Sequence, residues 1–244
     1  MINIVIPMAG AGSRFQKVGY ALPKPFIDVN GKMMVERVLD GIRFLNAHYT
    51  LIIRNDFISE HKDLLDKLSL NYNIAFVGVE KVTQGASCTA LAAMDIINNE
   101  TPVVFVDSDN IFVNKAFTSF LETAINSKVD GSLLTVNSDR NCFSYAKLEN
   151  GFVVETREKE VISNHAITGA YYFARGKEFC RYSIELMMYG NTAKKEYYMS
   201  NVYNRGISKG MKATVFDISN NEWNCVGTPE QLDEFLKKKS YETK

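Results

Sequence analysis

The residues best able to do chemistry fall in three short segments. Met8-Ala9-Gly10-Ala11-Gly12-Ser13-Arg14 follows the β-branched run Ile2-Asn3-Ile4-Val5-Ile6-Pro7. Glycines directly after a buried strand let a ligand approach the backbone, and successive N–H groups in such a loop suit phosphate oxygens. Arg14, and Lys24 in Leu22-Pro23-Lys24-Pro25, supply positive charge nearby. A tight structural turn uses the same glycines, so their neighbours must decide. Val106-Asp107-Ser108-Asp109-Asn110 ends a second apolar run, at the carboxyl end of a strand, where parallel sheets meet their ligands. Two carboxylates that close repel each other without a cation. A hard divalent ion such as Mg²⁺, bridging carboxylate to phosphate oxygens, meets that need. Thr83-Gln84-Gly85-Ala86-Ser87-Cys88-Thr89 opens a helical stretch. Its small residues let a planar base lie against the backbone, with Gln84 or Ser87 placed to pair with the base edge; Ser87 would serve equally as a helix N-cap.

Two common phosphate motifs are absent. The dinucleotide fingerprint needs a glycine where Phe15 stands, and Arg54-Asn55 follow the second strand where an acid should hold the ribose. Gly31-Lys32 is followed by Met33 and has Phe26 five residues before Gly31, so it is no P-loop. Nicotinamide, ATPase and GTPase chemistries are disfavoured. Cys88, Cys142, Cys180 and Cys225 are scattered, and with His48, His61 and His165 they form no zinc spacing. Four reduced thiols in a cytoplasmic protein are expected.

The combined pattern Gly10-x-Gly12-x-Arg14, Pro23-Lys24 and Val29-x-Gly31-Lys32 resembles the nucleotidyltransferases that activate sugar phosphates and other small phosphates. The resemblance implies that Met8, Ala9, Gly10, Gly12 and Ser13 wrap the triphosphate of an NTP. It also implies that Arg14 meets the distal phosphates and Lys24 the phosphate under attack. Gln84, Gly85 and Ser87 match the family's base-reading loop. Asp109 matches its direct Mg²⁺ ligand, with Asp107 as co-ligand or one step behind. Glu158-Lys159, Thr168-Gly169 and Glu196-Tyr197-Tyr198 resemble acceptor-side segments, which places Lys159, Gly169 and Glu196 against the acceptor. One position departs from the pattern: Trp223-Asn224-Cys225-Val226-Gly227-Thr228 has Cys225 where the family usually supplies a second carboxylate. A thiol is a poor Mg²⁺ ligand. Asp217 or Glu222 could take its place, Asp109 could share the ion with phosphate and water, or catalysis could be lost.

Within the family the chain looks most like small cytidylyltransferases of bacterial capsule and surface-polysaccharide loci, including those acting on phosphoglutamine. By that likeness CTP gives up CMP to a small phosphorylated acceptor such as L-glutamine phosphate, with release of pyrophosphate. A sugar 1-phosphate or phosphocholine acceptor stays open. So do a non-catalytic nucleotide-binding homologue and a GT-A glycosyltransferase, which shares an Asp-x-Asp metal site but needs no grip on a triphosphate.

The elements that must hold these segments alternate. Strands are expected at residues 2–7, 51–53, 74–77 and 102–106, with helices at 33–45, 59–68 and 87–97 between them. That order makes an α/β three-layer sandwich around a mostly parallel sheet. A helix at 117–125, strands at 131–136, 170–173 and 213–216, and helices at 177–188 and 229–238 continue it. Asn150-Gly151 between Tyr145-Ala146-Lys147-Leu148 and Phe152-Val153-Val154-Glu155 marks a small antiparallel hairpin insert. No linker or repeat divides residues 1–244, so a single domain is expected, with a homodimer left open. With 28 basic and 28 acidic residues, no net field favours nucleic acid or an anionic membrane. No leader or apolar span is seen, and no membrane partner is expected.

Overall fold

The computed structural model describes residues 1–190 and 196–242. Its strands are β1 (Ile2–Pro7), β2 (Ala47–Arg54), β3 (Ile74–Val79), β4 (Val103–Val106), β5 (Asn110–Phe112), β6 (Gly131–Asn137), β7 (Ser144–Glu149), β8 (Phe152–Glu158), β9 (His165–Phe173), β10 (Ala213–Ile218) and β11 (Trp223–Cys225). The main sheet runs in the order β10-β6-β9-β4-β1-β2-β3. The β1–β2, β2–β3, β1–β4 and β6–β10 pairs are parallel. β9 alone in this row is antiparallel to its neighbours, β4 and β6. The carboxyl ends of β1, β4, β6 and β10 therefore share one edge of the sheet, and the amino end of β9 lies among them.

Strand period puts alternate side chains on opposite faces. Ile4 and Ile6 enter one core with Val104 and Val106, while Val5 enters the other with Val103 and Phe105. The helices Met34–Gly41 and Asn114–Asn126 cover the first face through Val38, Leu39, Phe117 and Phe120. Gly176–Tyr189 and Met199–Ile207 cover the second through Phe179, Tyr182, Val202 and Tyr203. This is the expected three-layer α/β sandwich. A smaller cluster packs Phe15 and Val29 against Val226, Leu232 and Phe235, anchoring the segment after the glycine loop to the C-terminal helix Pro229–Glu242.

The hairpin is present: β7 and β8 pair antiparallel, and Asn150 and Gly151 have φ of +51° and +81°, the left-handed pair that a two-residue turn of this hand needs. β7 also pairs with β9, so the insert is an extension of the main sheet. Several helices differ from their expected form. The 59–68 helix is two, Asn55–Glu60 and Lys62–Asn71, broken at His61. The 87–97 stretch is the helix Ala86–Ala90, a 3₁₀ turn Leu91–Ala93 and the helix Met94–Ile97. The first long helix stops at Gly41, where any Cβ would lie 2.5 Å from the Phe112 carbonyl oxygen. Among the described residues no helix is long and apolar enough to cross a membrane.

Candidate active site

The glycine loop leaves β1 at the shared edge of the sheet. The Met8 N–H still reaches the Ile52 carbonyl at 2.8 Å, but among the described residues no N–H from Ala9 to Arg14 has a backbone partner. Gly12 caps the helix Ser13–Lys17 with φ +63° and ψ +22°, a conformation that costs a residue with a Cβ about 1–2 kcal/mol. A Cβ there would lie 3.2 Å from Lys24 Cβ. The bare backbone of Gly12 thus lets the Pro23-Lys24-Pro25 turn pack against the loop. From that turn Lys24 Nζ reaches across to Asp109 Oδ2, an ion pair with both side chains about one-fifth exposed.

Asp109 sits between β4 and β5 and is held from several sides. Its carbonyl accepts from the Val226 N–H at 2.9 Å, and its Oδ1 accepts from Asn110 Nδ2 at 3.1 Å. Asn110 in turn accepts from Trp223 Nε1 at 2.8 Å. The short antiparallel pairing of β5 with β11 sets Cys225 opposite Asn110, so Cys225 lies beside Asp109, where the sequence pattern led us to look for a carboxylate. Burial first, and the Asp109 charge second, push the Cys225 thiol up to about 12. It is a neutral thiol, and its Sγ donates to Gln231 Oε1 at 3.5 Å.

Asp107 is wedged against β9: its N–H donates to the Gly169 carbonyl at 2.9 Å. A Cβ on Gly169, whose φ is +82°, would stand 2.6 Å from Asp107 Oδ2. Burial, then Asp109, push the Asp107 carboxyl up to about 8, with Glu158 adding to the rise and Lys24 opposing it. The pair therefore favours a proton on Asp107 unless a cation is bound beside it.

Among the described residues no group of three or more His, Cys, Asp and Glu side chains is arranged to hold a metal. Asp217 is engaged with Thr135 at 2.7 Å and His165 at 2.9 Å, and Glu222 accepts from the Ser219 N–H at 2.9 Å. Neither lines the cavities at Asp109, so neither replaces the missing second carboxylate. Among the described residues the carboxylates that line both cavities are Asp109 and Asp107, and they fit a hard cation that takes the rest of its coordination from phosphate and water, the usual habit of Mg²⁺.

The loop from Thr83 to Ser87 is organised by a contact 110 residues away. Ser87 Oγ and N–H both donate to the Tyr197 carbonyl, at 2.9 and 3.2 Å, and the Tyr197 N–H donates to the Gln84 carbonyl at 2.7 Å. Gly85, with φ +126°, is the close-approach point, since a Cβ there would lie 2.5 Å from Tyr197 O. Ser87 is completely buried and its hydroxyl is committed to this joint. Gln84 is exposed, and in this loop it is Thr83, Gly85 and Ala86 that face the cavity.

Two cavities meet at the carboxylates. The first, about 460 Å³, runs from the glycine loop and Lys24 to Gly85 and Glu196. The second, about 250 Å³, runs from Gly169 and Glu158 to Lys159 and Tyr198. Arg14, Ala86, Asp107, Asp109 and Gly227 line both. Gly169 and Lys159 thus face the second cavity, whereas Glu196 faces the first and accepts a hydrogen bond from Tyr198 Oη. Lys159 is a non-glycine residue at φ +57°, a strained conformation of the kind that clusters at binding sites. Its Nζ lies 3.7 Å from Glu158 Oε1 and 5.5 Å from the centre of the Tyr198 ring.

The family model for nucleotidyl transferases matches residues 4–241. The chain belongs to the nucleotidyl transferase family. Among curated relatives, the choline-phosphate cytidylyltransferase of Haemophilus influenzae is 27% identical over 138 residues, which span 55% of this chain and 58% of that protein. The nucleoside-diphosphate-sugar pyrophosphorylase of Vibrio cholerae RC9 superposes with a TM-score of 0.82 at 25% identity, covering 96% of this chain and 99% of its own. The inositol-1-phosphate CTP transferase of T. maritima superposes at 0.77 and 18% identity, over 97% and 95% of the two chains, a likeness of fold. Three groups in the site lie in segments that the sequence singled out, but carried no role of their own there. They are the Tyr197 backbone, Gly227, where a Cβ would meet Asp109 Oδ2 at 2.5 Å, and Glu158, which accepts from Ser144 Oγ. Each is made significant by a partner remote in the chain.

Proposed function

We propose that this nucleotidyl transferase moves CMP from CTP onto the phosphate of a small acceptor, releasing pyrophosphate, and that residues 1–244 act as one catalytic domain in the cytoplasm. The observation that carries the reading is the meeting of two cavities at Asp107 and Asp109, one walled by the glycine loop and Lys24, the other by Gly169 and Lys159. A donor triphosphate lies in the first, with its distal phosphates on Arg14 and the open N–H groups of the loop. The acceptor phosphate lies in the second, near Lys159. An acceptor phosphate oxygen attacks the α-phosphorus and forms the new P–O bond. The bond from the α-phosphorus to the bridging oxygen breaks in line, and that oxygen leaves with pyrophosphate. Lys24 swings from Asp109 to the α-phosphate, where it neutralises the charge that builds up in the transition state. When bound at Asp109 and Asp107, Mg²⁺ would screen the phosphates from the carboxylates and from one another. Alignment and charge neutralisation are sufficient, and no covalent enzyme intermediate is needed.

CTP is favoured by two comparisons, the cytidylyltransferase relative and the CTP transferase of like fold. The likeness to small enzymes of surface-polysaccharide loci favours an amidophosphate such as L-glutamine phosphate over a sugar phosphate or phosphocholine. The test is a pyrophosphate-release screen of the common NTPs against phosphorylated sugars, amino alcohols and glutamine phosphate, with and without Mg²⁺. Release that needs CTP, one acceptor and the ion supports the reading; release with no acceptor, or undiminished release without metal, opposes it. Cys225 favours a second reading, a nucleotide-binding protein without turnover, which CTP binding with no pyrophosphate from any acceptor would identify.

A further inference from the structure

A third cavity, about 190 Å³, continues the row. It lies at the carboxyl ends of β6 and β10, between Ser138 and Arg140 on one side and Gln231, Glu234 and Lys238 of the C-terminal helix on the other. Phe143, Trp223, Cys225 and Gln231 line both it and the second cavity. The order of the cavities follows the order of the strands: donor pocket at β1 and β4, acceptor pocket at β4 and β9, third cavity at β6 and β10. The Phe143 and Trp223 rings, edge to face at 5.3 Å, form the neck between the last two. Trp223 is tied through Asn110 to Asp109, so the neck is in register with the reacting centre.

The outer cavity is polar and cationic. Arg140 and Lys238 stand against Glu234, with Asn137, Asn220 and Asn224 around them. Among the described residues Arg140 has no carboxylate partner: its guanidinium lies 5.7 Å from the centre of the Phe143 ring and makes no ion pair even with its neighbour Asp139. An arginine stacked on the aromatic that walls a neck keeps its donor fork for a planar anion. Resting on the reading above, we infer that the acceptor is longer than its phosphate pocket and carries a second anionic group, a carboxylate, which passes the Phe143–Trp223 neck and is recognised by Arg140. This would select against acceptors that end in a cationic or neutral group.

The probe pair is 6-phosphogluconate and sorbitol 6-phosphate, which differ in a terminal carboxylate against a terminal CH₂OH. Trp223 is the only tryptophan, so its emission reports occupancy of the neck without any need for turnover. A charge-assisted hydrogen bond in a partly open site makes 6-phosphogluconate bind about tenfold more tightly, with a change in Trp223 emission. The Arg140→Gln variant brings the two affinities to one value. Equal affinities in the native protein, a preference that survives Arg140→Gln, or no emission change with either probe overturns the inference. Because this is a binding measurement, its failure is separate from that of the transfer reading: pyrophosphate release together with equal affinities for the two probes leaves transfer standing and removes the Arg140 subsite. A carboxylate preference without any pyrophosphate release would do the reverse.

Discussion

Gly169→Ala puts the geometry around Asp107 under direct strain. The backbone there has φ +82°, which costs an alanine about 1–2 kcal/mol. The new Cβ would lie 2.4 Å from Asn110 Nδ2, 2.6 Å from Asp107 Oδ2 and 3.1 Å from Asp107 Cβ, well inside ordinary contact distance, and overpacking of this order costs about 1–3 kcal/mol. The sum is about 2–5 kcal/mol. For a chain of this length a mid-range loss of about 3 kcal/mol lowers Tm by roughly 6–12 °C. The chain can relieve part of the clash by turning Asp107 aside, but a displacement of about 1 Å at a reacting centre costs on the order of a hundredfold in rate. Thermal unfolding and pyrophosphate release, measured on the same preparation, read both terms. A variant with Tm within about 2 °C of the parent and near-parental turnover would refute the claim that Gly169 exists to seat Asp107.

Four further outcomes follow from the same contacts. Lys24→Met should keep the fold while turnover falls about 10²–10³-fold, as measured by pyrophosphate release beside circular dichroism; near-normal turnover in the folded variant removes Lys24 from the chemistry. Gly10→Ala has open space around its Cβ, so urea unfolding should change by less than about 0.5 kcal/mol while CTP affinity drops, because that open space is the donor cavity. Ser87→Ala should cost about 0.5–1.5 kcal/mol, the net worth of its hydroxyl bond, since the Tyr197 carbonyl keeps the Ser87 N–H, seen as a lower urea midpoint. Cys225→Asp sets a third carboxylate beside Asp109 and should tighten Mn²⁺ binding in the absence of nucleotide, followed by electron paramagnetic resonance; unchanged Mn²⁺ affinity would show that position 225 does not face the ion.

The parts of the fold and site that could be read in advance are those whose signal is local. β1 and its glycine loop, β4 with the acids that end it, and the Asn150-Gly151 turn each announce themselves within about ten residues, because buried β-branched runs and left-handed turn positions admit few residue types. β5 and β11 are three residues each, too short for an alternating pattern, yet their pairing is what sets Cys225 beside Asp109. β9 begins at His165, well before its apolar run, since Thr168 and Gly169 interrupt the hydrophobic signal for the sake of contacts with Leu134 and Asp107. The joint of Gly85 and Ser87 to Tyr197 was hidden for the same reason. Ser87 carries the signature of a helix cap, and only the tertiary fold reveals that its hydroxyl is spent on a carbonyl 110 positions later.

The most direct test of the whole account follows the α-phosphate of CTP. With CTP labelled at that phosphorus, Mg²⁺ and the acceptor selected by the pyrophosphate screen, the label should pass to the acceptor's phosphate in a new diphosphate linkage, with one pyrophosphate released for each label transferred. CTP that binds but keeps its label with every acceptor, or label that appears only as free CMP, would contradict nucleotidyl transfer by this chain.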